Sequence, residues 1–458
     1  IYYYHDSLYN VLMIMLIDRE DEMKTLLEIE KSTKAELVLV YGRRRVGKSR
    51  LLVEFAKKRE CLYLLADMSE NILEIFAKQA GEDFVKFGSW DDFFEFVCKC
   101  RHKTIIIDEF QYIYNINKAW PSILQRHWEK IKETDKKIIL CGSIISTIYR
   151  IAKGHGSALY GRKTREIQIN PLRFKHISGF LGKYNTEELI RAYSVTGGVP
   201  RYLEEMNPNE SLEWNIKNKI LDKTSFLYNE PMNLLFEEFR DPAPYVSILL
   251  AIAQGYTRFN DIAVISKIQG HKLPKYLIVL ERVKIIGKET PATERKIKAR
   301  TTRYRIMDNF YRFWFTFVFG NKSMIEQGKN NELLSMIKTS LNAYIGLCFE
   351  DVCKEMLEEQ DFTKVGRWWH KAEEIDIVAV NDLKSEILFA ECKWKDNIDA
   401  SALLLELKRK AERVDWNRGK RKESYAIFAK SFKKKDGSAL CLDLKDIAKK
   451  ISISIIPK

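Results

Sequence analysis

Nowhere in the 458 residues is there an uninterrupted apolar stretch of the ~20 residues that a membrane-crossing helix needs. The apolar run from Leu8 to Ile17 is short, follows His5 and Asp6, and has neither the basic start nor the small-residue cleavage site of a signal peptide. Proline is scarce and no low-complexity tract occurs, so the composition is that of a globular protein. The eight cysteines (Cys61, Cys98, Cys100, Cys141, Cys348, Cys353, Cys392, Cys441) are scattered, mostly inside apolar runs, with no C-x-x-C pair and no histidine at ligand spacing. That pattern argues against a zinc site and for reduced, buried thiols in a cytoplasmic protein without a membrane partner.

What is present points elsewhere. A chain of this length divides into roughly three domains. Its formal charge of +14 calls for an acidic partner, nucleic acid being the commonest, although a chain this rich in Lys, Glu and Ile also fits a thermophile.

The strongest chemical signal is Gly42-Arg43-Arg44-Arg45-Val46-Gly47-Lys48-Ser49, which fits the phosphate-binding pattern G-x-x-x-x-G-K-[ST] at every fixed position. Glu36 to Tyr41 reads as a buried strand before it, and Ser49-Arg50-Leu51-Leu52-Val53-Glu54-Phe55 continues as a helix. Backbone N–H groups at such a helix start cradle phosphate, Lys48 reaches the β/γ oxygens and Ser49 holds Mg²⁺. The expected nucleotide-binding set is therefore Gly42, Arg43, Arg44, Arg45, Val46, Gly47, Lys48, Ser49 and Arg50, with the three arginines as a phosphate-friendly rim and no catalytic role.

Thr104 to Glu109 is an apolar strand ending in two carboxylates, as a Walker B element does. Asp108 is expected in the Mg²⁺ shell and Glu109 is expected to polarise the attacking water. Gln111 reads as a surface residue at a helix start, the alternative being assistance at the active site. Lys137 to Ser143 is the next strand, and Ser143 is either a γ-phosphate sensor or a helix cap. The aromatics of the helical stretches Glu70 to Ala80 and Asp91 to Arg101 read as core.

Together with Asp18-Arg19-Glu20, Cys141-Gly142-Ser143, Tyr160-Gly161-Arg162 and Gly197-Gly198-Val199-Pro200, these motifs resemble the archaeal ATPase family, a branch of the AAA+/STAND P-loop ATPases. The resemblance implies ATP as the nucleotide, a five-stranded parallel core, and a helical lid bearing Gly198 and Pro200 near the adenine. It also implies an arginine that reads the γ-phosphate in its own or a neighbouring site. Arg162 best matches that arginine; the alternative is a basic turn residue with no role.

Beyond about residue 236, three apolar helices and two alternating strands (Val283 to Glu289, Arg303 to Met307) read as a winged helix-turn-helix. Arg295, Lys296, Lys298, Arg300, Arg303 and Arg305 are placed to straddle a phosphate backbone, unless the domain serves only packing or these residues are a solvated charge run. The aromatic stretch Asp308 to Phe319 reads as packing, and Gly320 to Asn331 as a linker.

In the last third, a helix bearing Glu350, a strand with Asp376 and a strand with Glu391-Cys392-Lys393 fit the PD-(D/E)-x-K nuclease pattern. Ile375 stands where the pattern expects proline. Glu350, Asp376 and Glu391 are candidate ligands for Mg²⁺ or Mn²⁺, and Lys393, on the same strand face as Glu391, would orient the nucleophile. Lys408, Arg409, Lys410, Arg413, Arg418, Lys420, Arg421 and Lys422, extended by Lys433 to Lys435, suit a DNA-backbone track or an exposed face.

The expected class is α/β: an N-terminal extension (1–17), a P-loop NTPase domain with a parallel sheet and helical lid (18–235), a winged helix (236–320), a linker (321–331) and a restriction-endonuclease-like α/β domain (332–458). The expected function is an ATPase acting on nucleic acid, with DNA as partner and the nuclease-like domain as output. The alternative is a STAND-like switch that assembles with partners, a second copy of the chain or another protein, and never cuts.

Overall fold

A computed structural model describes residues 16–57, 59–81, 86–153, 156–294 and 301–455. Nearly all of the N-terminal extension, with the start of the Leu8 to Ile17 run, lies outside them, as do Arg295, Lys296, Lys298 and Arg300. The described chain divides into two compact units between Pro171 and Leu172.

In the first unit, β1 (Glu36–Tyr41), β2 (Cys61–Leu65), β3 (Thr104–Asp108), β4 (Lys137–Gly142) and β5 (Arg165–Gln168) form a parallel sheet in the order β2-β3-β4-β1-β5. The strands are near-continuous apolar runs because both faces are covered. Val38, Val40, Ile106 and Ile139 pack with Leu26 and Ile29 of the helix Glu20–Lys31 and with Leu51, Leu52 and Phe55 of the helix Lys48–Ala56. On the other face, Leu37, Leu39, Ile105, Ile107 and Ile138 join Phe76, Phe93, Phe94 and Trp120 in the second core, where the aromatics were expected. Ser89 closes a capping box with Asp92, which fixes where the helix Trp90–Lys99 starts.

The second unit opens with helices, Thr186–Thr196, Pro200–Glu205 and Glu230–Glu238 among them. Gly198 is required there by close approach, since a Cβ on it would lie 1.8 Å from the Leu172 carbonyl oxygen. These helices belong with the C-terminal half because the segment after residue 307 is built into them. The Asn309 amide donates to the Tyr193 carbonyl (2.9 Å), the Tyr344 hydroxyl to that of Ser194 (3.0 Å) and the Trp314 indole to that of Tyr228 (2.7 Å). Phe310, Phe313 and Trp314 are fully buried, so the aromatic stretch is packing. The expected linker is absent: the helix Lys322–Glu326 occupies it and the 29-residue helix Asn330–Glu358 begins inside it.

Three helices, Ala243–Ala253, Phe259–Ile265 and Leu273–Arg282, precede an antiparallel pair, β6 (Ile286–Glu289) and β7 (Arg303–Ile306). After the long helix come β8 (Lys364–His370), β9 (Glu373–Asn381), β10 (Glu386–Lys393), β11 (Ile398–Asp399), the helix Ala400–Ala411, β12 (Lys422–Ala429), β13 (Phe432–Lys434) and β14 (Leu440–Leu442). The main sheet runs β14-β12-β10-β9-β8, parallel from β10 through β14 and antiparallel from β8 to β10, with β11 and β13 paired apart. Between Gly366 and Trp368 the β8–β9 register slips: Gly366 faces Val378, whereas Trp368 faces Ile375. One residue of β8, Arg367, is thus opposed by two of β9, Asp376 and Ile377, a bulge of the kind that re-aims a side chain.

Candidate functional site

Register brings the nucleotide motifs together. Tyr41 pairs with Gly142 and Leu65 with Asp108, so Gly42, Glu109 and Ser143 all leave the parallel sheet at its C-terminal edge, where such sheets bind ligands. A Cβ on Gly42 would lie 2.2 Å from the Ile169 carbonyl oxygen, which leaves room for glycine alone. Gly47 has φ +93° and turns the loop into the helix Lys48–Ala56. Lys48, only 4% exposed as a residue, donates from its ammonium to the Arg43 carbonyl at 3.0 Å and so curls back over the loop. Ser49 is the second residue of that helix and part-buried. Arg44 donates to the Tyr112 hydroxyl at 2.6 Å, Arg43 and Arg45 are part-buried and Arg50 is exposed.

Asp108 is fully buried. Its Oδ2 accepts from the Tyr63 hydroxyl (2.6 Å) and its Oδ1 from the Glu109 N–H (2.9 Å). Burial and the Asp108 carboxylate push the Tyr63 hydroxyl far up, so it stays a proton donor to that carboxylate. Cys141, on the strand between the two motifs, is likewise raised by burial and Asp108, with Lys48 opposing. Glu109 has φ +55°, a left-handed backbone rare for glutamate and common where a site imposes it. Its Oε2 accepts from the Ser143 hydroxyl at 2.7 Å and from the Gln111 amide, which also donates to Ser143 Oγ at 3.3 Å. Gln111 is therefore no surface residue. It is completely buried because the left-handed turn at Glu109 folds the helix Gln111–Ile116 inward, and its Oε1 has no partner among the described residues. A backbone cradle at a helix start, an ammonium, a hydroxyl at Ser49 and a buried carboxylate at Asp108 are the donor set that a magnesium nucleotide requires.

Arg162, half-buried, stands 3.8 Å from Glu129 and donates to the Ala158 carbonyl at 3.4 Å. Pro200 opens the helix Pro200–Glu205 in the second unit.

In the C-terminal sheet the bulge puts Asp376 beside β10, where its Oδ2 accepts from the Cys392 N–H at 2.8 Å, between Glu391 and Lys393. Lys393 donates to Glu391 Oε1 (2.6 Å) and Lys410, from the helix Ala400–Ala411, to Oε2 (3.4 Å). Glu350, on the long helix, is ion-paired with Arg367. Burial raises the Asp376 carboxyl, and Glu391 adds to the rise. Burial also raises Glu350, against Arg367 and reinforced by Asp376. Burial leads both shifts, with a neighbouring acid adding to each. Among the described residues, no group of three or more Asp, Glu, His or Cys side chains is already disposed to hold a metal ion.

Several basic residues expected on a DNA track are occupied within the second unit. Arg303 donates to Glu374 (2.6 Å) and lies over the Trp369 ring, and Arg305 is bound to Asp351. Arg409 and Arg413 share Glu373, Arg421 is buried against the carbonyls of Ala411, Val414 and Trp416, and Lys435 holds Asp443 and Asp446. Sequence reading missed these pairs because each depends on how the chain folds back on itself, as in Arg303 with Glu374 and Arg409 with Glu373. Arg367 was missed likewise, whereas a part for Gln111 at the active site was the less favoured of its two readings.

All eight cysteines are free, and no helix among the described residues is long and apolar enough to cross a membrane. Residues 16–206 match a family described as an ATPase domain predominantly from Archaea, and residues 314–412 one described as Archaea bacterial proteins of unknown function. An uncharacterized protein of Methanocaldococcus jannaschii is 37% identical over 451 residues, spanning 95% of this chain and 100% of that protein. Among solved structures, the Walker-type ATPase of Pyrococcus abyssi has a TM-score of 0.49 at 19% identity, covering 66% of this chain and 96% of that one. The ORC2 protein of Aeropyrum pernix has a TM-score of 0.43 at 13% identity, covering 68% and 94%. With the nucleotide motifs gathered at one sheet edge and a relative that matches almost end to end, the chain belongs to the archaeal family of P-loop ATPases.

Proposed function

We propose that the protein hydrolyses ATP at the loop 42–49 and uses the nucleotide state to control a nucleic-acid-acting site at Glu350, Asp376, Glu391 and Lys393. In this reading Lys48 binds the β/γ-phosphates, Ser49 and Asp108 hold Mg²⁺, which neutralises phosphate charge, and Glu109 takes the proton of the attacking water while Ser143 and Gln111 orient it. Arg162 and Pro200 act at the γ-phosphate and the adenine. The helices from Ala243 to Arg282 with β6 and β7 serve as a winged helix, whose third helix exposes Lys275 and Arg282 toward DNA phosphates.

The observation that carries the output half is the β9 bulge, which sets Asp376 against the backbone between Glu391 and Lys393. An acid pair backed by a lysine is suited to hold Mg²⁺ or Mn²⁺, activate water and steady a phosphoryl transition state. The test is cleavage of single- and double-stranded DNA and RNA with Mg²⁺ or Mn²⁺, with and without ATP, by wild type, Lys48→Ala and Asp376→Ala. The reading expects cleavage lost in Asp376→Ala and its ATP dependence lost in Lys48→Ala; cleavage that survives Asp376→Ala would remove the site.

A second reading draws on the chain's own cations. Arg367 on Glu350, with Lys393 and Lys410 on Glu391, already neutralises these acids, as expected of a nuclease-like domain that has become a scaffold in a STAND-like switch. Nucleotide-dependent assembly, with itself or another protein, and no cleavage of any of these substrates would favour it.

A further inference from the structure

We infer that Arg19 is a positioning residue for the phosphate loop, setting the direction of the Gly47 N–H through the carbonyl of Val46. This rests on the loop binding a nucleotide.

Arg19 directly precedes the helix Glu20–Lys31 and is only 5% exposed. Its side chain does not cap that helix; it reaches across the sheet edge. Nη2 donates to the Val46 carbonyl at 3.1 Å and to the Asn170 carbonyl at 2.8 Å, and Nη1 to the Asp18 carbonyl at 2.8 Å. Glu22, 3.6 Å away, is its ion-pair partner. One guanidinium thus ties together the N-terminal approach, the end of the phosphate loop and the chain after β5. The Ile169 carbonyl beside Asn170 is the same backbone that abuts Gly42, so the segment 169–170 holds the loop at both ends, directly at Gly42 and through Arg19 at Val46.

A trans peptide carries its C=O and N–H on opposite sides. Holding the Val46 carbonyl toward Arg19 therefore points the Gly47 N–H away from it. Gly47 has no side chain and a φ of +93°, so sterics alone do little to fix the peptide plane before it. An outside anchor on its preceding carbonyl removes that freedom before ligand arrives, and preorganised N–H groups bind anions more tightly than mobile ones. Nη2 serves the Val46 and Asn170 carbonyls while Nη1 holds that of Asp18, and a lysine, with one ammonium in place of the rigid fork, loses this fixed division.

The test uses the full chain and ATP with Mg²⁺. The apparent Kd and the KM-against-kcat split are measured for wild type, Arg19→Lys, Arg19→Met and, as a control for lost stability, Lys136→Met. Lys136 is also buried and also donates to two carbonyls, Cys100 and His102, but before β4 at the opposite sheet edge. Arg19→Met should weaken ATP binding roughly tenfold or more, as for loss of charge-assisted hydrogen bonds, Arg19→Lys should weaken it less, and KM should move more than kcat. Lys136→Met should lower the Tm without moving Kd. Should Arg19→Met fail to fold, Arg19→Lys decides. The inference is overturned if the folded Arg19 variants bind ATP within about twofold of wild type, or if Lys136→Met weakens ATP as much. Wild type that binds no nucleotide would instead overturn the nucleotide-binding reading and the inference with it.

Discussion

Arg305 and Asp351 face each other through two parallel hydrogen bonds, both 2.6 Å, one guanidinium on β7 closing on one carboxylate of the long helix. Arg312 adds a third contact at 3.2 Å. Burial alone would raise the Asp351 carboxyl, but Arg305, Arg312 and Arg367 outweigh it and hold it down to about 2. Removing the shared acid leaves Arg305 with Glu289 at 3.5 Å and takes from Arg312 its carboxylate, so Asp351→Ala should cost about 2–4 kcal/mol, and Arg305→Ala less, because Arg312 still serves the carboxylate. Urea unfolding of the two single variants and the double variant measures this, and a coupling energy near zero would contradict it.

Replacing Glu109 by Gln keeps the shape that Ser143 and Gln111 grip but removes the carboxylate proposed as the base. ATP turnover should fall about 100-fold or more with ATP affinity retained. Ser143→Ala should reduce turnover roughly tenfold, through loss of orientation rather than of binding. Steady-state kinetics beside direct binding separates the two.

Gly42→Ala drives a methyl group into the Ile169 carbonyl oxygen, and neither partner is a flexible side chain. The loop must shift, at about 1–3 kcal/mol of stability, and ATP binding should be lost with it. Thermal unfolding with and without ATP would show a lowered Tm and no nucleotide-induced rise.

Glu355 gives a pH dependence. It accepts from the Phe174 N–H (2.9 Å) and the Tyr193 hydroxyl (2.8 Å), yet burial outweighs these bonds and lifts its carboxyl from 4.5 to about 7. The native chain therefore keeps a proton that the unfolded chain releases, and the associated stability is full below about pH 4.5 and lost as pH rises through about 7. Unfolding midpoints compared between about pH 5 and 8 should fall more steeply for wild type than for Glu355→Gln, by about 1–3 kcal/mol across the window. Equal slopes would refute the assignment.

Much of the first unit was legible because its chemistry sits where apolar runs end. The runs before Gly42, Asp108 and Gly142 are long and β-branched, and each ends in the residue types that bind or polarise phosphate. Less legible was whatever depends on which segments meet. Polar residues such as Asn321, Lys322, Gln327 and Lys329 read as a linker, yet Ile325 is buried and the stretch is helical. Nothing in the composition around Leu172 announces that the chain there changes allegiance to the C-terminal half. Gln111 and Arg19 look like ordinary surface residues until the backbone at Glu109 and Asp18, both left-handed, turns them inward.

The slip between β8 and β9 makes the location of Asp376 a matter of counting. Deleting one residue there would restore an even ladder, but every later β9 side chain would change faces, sending Val378 and Val380 to the buried face that now holds the smaller Ala379, and Ala379 into their place. No point substitution reproduces or repairs such a shift. Length, at this position, is as much a constraint on the chain as the identity of the acid itself.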